Sequence, residues 1–110
     1  ALVSTAPLVA VQALADALGA VVARGSDVEV TTEGRLTARP IAPLCYGEAK
    51  VAVAHGIASE LGHTLDTLLY LADSKSDLPL LRAAAFPLCI NPTSEVRAEA
   101  AEQGWPIVTL

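Results

Sequence analysis

The 110 residues are 53% hydrophobic but only 4% aromatic, and they carry a net charge of −5. That is enough apolar material for one domain with a core of Ala, Val and Leu, needing no metal or disulfide staples, as where helices pack on a parallel sheet. The acidic balance and the lack of any Lys or Arg run argue against nucleic acid and membrane surfaces as partners; no apolar run reaches the length of a membrane span, and no signal-peptide pattern occurs. Cys45 and Cys89 share no metal-type spacing and read as two buried thiols of a reducing cytoplasm. The chain holds no Met and begins Ala1-Leu2-Val3 inside an apparent strand, so the expectation is a fragment whose N-terminal part is missing.

Ala1 to Val3 reads as a short strand with Ser4 and Thr5 at its carboxyl end. Pro7 suits the first turn of a helix, Leu8, Val11, Leu14 and Leu18 recur at helical spacing, and Gly19 ends the helix. A hydroxyl pair at a strand-to-helix turn is either an ordinary cap or part of an anion site. Ala20 to Ala23 gives a short strand, and Val28 to Val30 with Arg35 to Thr37 a hairpin closed by a Gly34-containing turn. Asp27-Val28-Glu29-Val30-Thr31 superficially matches an Asp-x-Asp-x-Thr phosphoryl-transfer motif; the match is rejected because Ala23 to Ser26 does not read as a buried strand leading into it.

Arg39 to Tyr46 is a connection. Gly47-Glu48-Ala49-Lys50 opens a helix that presents Val51, Ala54, Ile57, Ala58 and Leu61 on one side and ends at Gly62. Lys50 then sits at the end of the helix where the dipole disfavours a cation; an exposed lysine is the plain reading, a functional one the other. His55 and His63 have no partner at metal or triad spacing and read as surface residues.

Leu68 to Leu71, four apolar residues in a row, suit a strand buried on both faces. It stops at Asp73, with Ser74, Lys75 and Ser76 leading to Asp77. The plain explanation is a helix cap at Asp73 or Ser76 with Asp77 in the first turn; the sharper one is a pair of carboxylates holding a hard cation such as Mg²⁺ at the carboxyl end of a parallel strand. Leu78 to Ala84 is a short helix and Phe86 to Ile90 a strand. Thr93 or Ser94 caps a helix from Glu95 to Gln103 that stops at Gly104, and Trp105 to Leu110 is a terminal strand or docked tail. The alternation makes a three-layer α/β fold with a parallel, Rossmann-like sheet the expected architecture; neither GxGxxG nor a P-loop occurs.

Val3-Ser4 after a strand, Gly47-Glu48-Ala49-Lys50 and Asp73-Ser74-Lys75-Ser76-Asp77-Leu78-Pro79, with Ile90-Asn91-Pro92 and Gly104-Trp105-Pro106, together resemble the haloacid dehalogenase superfamily in its phosphoserine-phosphatase-like branch. The resemblance implies hydrolysis of a small phosphorylated metabolite through an aspartyl-phosphate, with Mg²⁺. On it, Ser4, with Thr5 beside it, binds the phosphoryl oxygens; Lys50 neutralises the phosphoaspartate; Asp73 is a metal ligand; and Asp77 is the second acid, which supports the metal or the lysine. Ala72 stands where the family has Gly, and the first motif, with the nucleophile and general acid/base, has no counterpart in these residues. Residues 1–110 are therefore expected to be a partial core domain, inactive alone, with its sheet completed by the missing N-terminal half or another chain. The alternatives are a non-catalytic interaction module, to which Ala72 points, and a phosphate-accepting signalling domain.

Overall fold

The computed structural model describes all residues from Ala1 to Leu110. The chain is α/β and divides into two compact units, Ala1–Ala49 and Lys50–Leu110.

In the first unit β1 (Leu2–Pro7) leads directly into α1 (Leu8–Leu18), and β2 (Ala23–Val30) and β3 (Leu36–Ile41) follow. The sheet order is β1-β2-β3, with β1 and β2 parallel and β2 and β3 antiparallel. Val11 and Ala15 of α1 pack with Ala23 to form a small core, flanked by Leu2 and Ala20. β1 runs four residues beyond its expected end, and α1 starts after Pro7 without a hydroxyl cap. The helix ends as expected at Gly19, whose φ of 69° is the left-handed conformation that glycine adopts without a Cβ penalty.

The expected separate strand at Ala20 to Ala23 does not form; Ala23 instead begins one long strand through Val30. This removes the ground for rejecting the Asp27 match, because Ala23 to Ser26 is strand, with Ala23 and Ser26 buried. Asp27 and Glu29 are nonetheless exposed in mid-strand, where Asp27 pairs across the hairpin with Ile41, and neither stands at a strand end. Pro40, expected in a loop, lies in β3, an edge strand that tolerates a missing N–H.

In the second unit α2 (Glu48–Glu60, its first two residues still in the first unit) is followed by β4 (Leu69–Ala72), α3 (Leu78–Ala83), β5 (Phe86–Ile90), α4 (Ser94–Gln103) and β6 (Ile107–Val108). The three strands are parallel, in the order β4-β5-β6. Leu78, Leu81, Cys89, Val96 and Ala100 form the main core, with Tyr70, Ala72, Trp105 and Ile107 packed against it. Ala54, Leu65 and Leu80 form a second cluster, to which Val51, Ala58, Leu68 and Tyr70 add.

β4 departs from the expected two-sided burial: Tyr70 and Ala72 face the core, whereas Leu69 and Leu71 are exposed, as is Phe86, the register partner of Leu69. An apolar run does not specify how many faces of the strand are covered. Leu61, expected on the inner side of α2, is also exposed, since the helix stops at Glu60. The strands thus form two three-stranded sheets, and β1 and β4 are each an edge, with one side unpaired.

Candidate functional site

Lys50, the third residue of α2, is buried, contrary to the exposed reading of an isolated lysine near a helix start. Its ammonium donates to Asp77 Oδ1, and the two side chains form a buried ion pair. The same oxygen accepts from the Tyr70 hydroxyl at 2.7 Å, while Asp77 Oδ2 accepts from Ser74 Oγ at 2.6 Å. Ser74 and Ser76 hydroxyls lie 2.9 Å apart. Burial pushes the Asp77 carboxyl up, but the hydrogen bonds from Lys50, Ser74 and Tyr70, with the Lys50 charge, outweigh it and hold the group below its ordinary value of 3.8. Asp77 is thus a carboxylate kept ionised by three donors. It stands at the N-terminal boundary of α3, but its side chain makes no capping bond, because both oxygens are spent on the network.

Asp73, just beyond the end of β4, differs. Its carboxylate is exposed and makes no hydrogen bond or ion pair, while its main-chain carbonyl accepts from Thr93 N at 2.8 Å, tying the end of β4 to the residue that precedes α4. A free carboxylate at the carboxyl end of a parallel strand suits an oxygen-seeking divalent ion, which is commonly bound through one or two carboxylates and substrate phosphate. No cluster of three or more acidic, His or Cys side chains accompanies it, so this chain would supply only part of a metal shell.

In the first unit Ser4 and Thr5 lie in an irregular stretch of β1. Val3 pairs with Arg24 and Pro7 with Ser26, so three residues, Ser4 to Ala6, stand opposite Gly25 alone. Such bulges re-aim side chains next to active sites. Gly25 makes the bulge possible: a Cβ there would meet the Ala6 carbonyl oxygen at 2.7 Å and Leu8 Cα at 2.8 Å. Ser4 Oγ accepts from Ala6 N at 3.1 Å and keeps its own proton, whereas Thr5 Oγ1 donates to the Cys45 carbonyl at 3.1 Å. Cys45 N in turn donates to the buried Ser26 Oγ at 3.1 Å. Ser4 therefore retains a donor for an anion, and Thr5 acts as a tie to the Cys45 loop.

The structure thus brings Lys50 and Asp77 together, leaves Asp73 free and exposed, and sets Ser4 and Thr5 in the other unit. A groove of about 540 Å³ in the first unit, between α1 and the β2–β3 hairpin, is lined by Leu8, Val9, Asp16, Asp27 and Val30 among others and by none of these five. Tyr70 escaped the sequence reading because its apolar neighbours marked it as core. His55 and His63 are exposed, and Cys45 and Cys89 are both buried, as expected.

Residues 1–82 match the family model of haloacid dehalogenase-like hydrolases. A histidinol-phosphatase of Neisseria meningitidis serogroup C is 36% identical over 87 residues, covering 76% of this chain and 39% of that protein. A phosphoserine phosphatase of Mycobacterium tuberculosis is 28% identical over 106 residues, 96% of this chain and 34% of its own length. Among solved structures, a hydrolase of the same family from Salmonella enterica serovar Typhi superposes with a TM-score of 0.79 at 21% identity, covering 88% of this chain and 33% of that one. The chain thus spans less than two fifths of the length of these curated relatives.

Proposed function

Since the chain belongs to the haloacid dehalogenase-like hydrolase family, we propose that it supplies the C-terminal part of the catalytic core of a phosphatase of the phosphoserine-phosphatase-like branch, acting on a small phosphomonoester in the cytoplasm. The observation that carries this reading is the buried Lys50–Asp77 pair. An ammonium with three protons that spends one on a carboxylate, and is shielded from water, is a fixed positive charge with donors left for phosphoryl oxygens.

In this scheme a carboxylate nucleophile, supplied from outside these 110 residues, attacks phosphorus. The ester P–O bond breaks, the alcohol leaves with a proton from a general acid that is likewise supplied from outside these residues, and water then hydrolyses the acyl phosphate. Lys50 offsets the charge of the phosphoryl oxygens; in the first unit the hydroxyl proton of Ser4 stays available to an anion, and Thr5 holds the Cys45 loop. Asp77 holds the lysine, and Asp73 is the carboxylate left for Mg²⁺. Bound there, Mg²⁺ would neutralise phosphoryl charge and help orient the substrate.

β4 has one unpaired edge, open to a further strand from the rest of the polypeptide or another chain, and in this reading that strand carries the nucleophile. The relatives' greater length agrees with this. Ala72, the departure that favoured a non-catalytic module, packs against the core formed by Leu78, Leu81 and Cys89, so its methyl group is accommodated as structure.

The test is phosphate release from phosphoserine and p-nitrophenyl phosphate with Mg²⁺. The full-length protein should turn over and residues 1–110 alone should not. Lys50→Ala in the full-length protein should lower the rate by about 10²–10³. Unchanged turnover in that variant would remove Lys50 from the reaction.

A further inference from the structure

Lys50 is in an unfavourable place for a cation. It is buried, and it lies in the first turn of α2, where the unpaired N–H groups repel positive charge. Only Asp77 offsets this, and Asp77 is itself buried. A carboxylate on a single-bonded stem can swing about χ2, so one ammonium on one oxygen fixes neither partner. Here the swing is blocked from two sides: Tyr70 of β4 bonds Oδ1, and Ser74 of the following turn bonds Oδ2. Tyr70 is in turn immobilised, because its ring packs against both core clusters of the unit.

We infer that Tyr70 is a positioning residue: its hydroxyl, working with that of Ser74, clamps the Asp77 carboxylate so that the Lys50 ammonium is held at one place and one orientation. Tyr70 touches no reacting atom in this scheme and acts through Asp77. The part played by Lys50 in phosphoryl transfer rests on the function proposed above; the clamp itself does not. The chain's other tyrosine, Tyr46, is exposed, and its other lysine, Lys75, is exposed too, so each has an internal control.

The test reads the ammonium directly, by NMR of the chain labelled with ¹⁵N-lysine. In the unmodified protein the Lys50 NH₃⁺ signal should be visible and its hydrogens should exchange with water at least tenfold more slowly than those of Lys75. Tyr70→Phe keeps the ring in the core and removes only the hydroxyl; exchange at Lys50 should quicken about tenfold, with Lys75 unchanged. A variant that keeps the wild-type amide spectrum and the wild-type Lys50 exchange rate would overturn the inference. So would a Lys50 that exchanges as fast as Lys75 in the unmodified protein.

Should Tyr70→Phe not fold, the unmodified chain still decides: the Tyr70 hydroxyl proton should be observable and should show a nuclear Overhauser effect to the Lys50 ammonium, and its absence overturns the clamp. In the full-length protein Tyr70→Phe should lower kcat about tenfold at unchanged KM. If the clamp is seen by NMR but the full-length protein releases no phosphate, the phosphatase reading fails and the positioning role stands.

Discussion

The two units use polar side chains for different ends. In Ala1–Ala49 the core is small, Val11, Ala15 and Ala23, and the hydroxyls of Thr5 and Ser26 spend themselves on the backbone of Cys45, fixing a loop. In Lys50–Leu110 the fully buried residues include Leu80, Leu81, Cys89 and Val96, and the polar groups are aimed at one another, around Asp77. A neutral hydroxyl bonded to a backbone carbonyl stabilises modestly, whereas a buried charge must be matched in full. The difference teaches that the second unit has most at stake in a single side chain.

Asp77→Asn tests that most severely. It leaves Lys50 buried opposite a neutral amide, and breaking a buried pair from one side costs about 3–5 kcal/mol. Trp105, the only tryptophan, packs against the core of this unit and reports its unfolding by fluorescence in urea. The same group sets an acid sensitivity. Because the folded state holds the Asp77 carboxyl below 3.8, its contribution is complete above that value and is lost as pH falls through the lower, folded one; Asp77→Asn should flatten this part of the stability profile.

Leu81→Ala follows, at about 2–5 kcal/mol in the same assay, for a cavity at a fully buried site. In the first unit the largest single effect should come from packing rather than charge. Gly25→Ala drives a methyl group into the Ala6 carbonyl and Leu8 and should cost about 1–3 kcal/mol, read as faster amide exchange along β1 and β2. A larger loss there than for Asp77→Asn would reverse the comparison. At the bottom of the scale is Arg82, whose Nη2 lies 2.6 Å from Glu99 Oε2 and holds the Glu99 carboxyl below its usual range. With Arg82 half exposed, the pair is worth about 0.2–1 kcal/mol, and Arg82→Ala should shift the urea midpoint barely measurably.

Helix limits were legible where a residue's backbone chemistry decides alone. Gly19, Gly62 and Gly104 all take φ near +70° at or just past the end of a helix, and Pro7 immediately precedes α1. Strand limits were less so: β1 outruns Val3 because its bulge is permitted by Gly25, twenty residues away, and no local pattern announces such a partner. The one-sided burial of β4 was hidden for a similar reason, since Leu69 and Leu71 are as apolar as residues covered on both faces. Of the site, the Gly47 to Lys50 and Asp73 to Asp77 motifs pointed to residues that do include a buried ion pair. What they omitted was Tyr70, a core residue by composition and a hydrogen-bond donor by position.

Leu69, Leu71 and Phe86 lie side by side on a strand pair whose outer edge is open. For a solution of this chain the expected consequence is colloidal: like molecules should attract through that face and be held apart by a net charge of −5. Raising the salt shortens the reach of the repulsion to a few ångströms and leaves the attraction intact, so the sedimentation coefficient should climb with ionic strength.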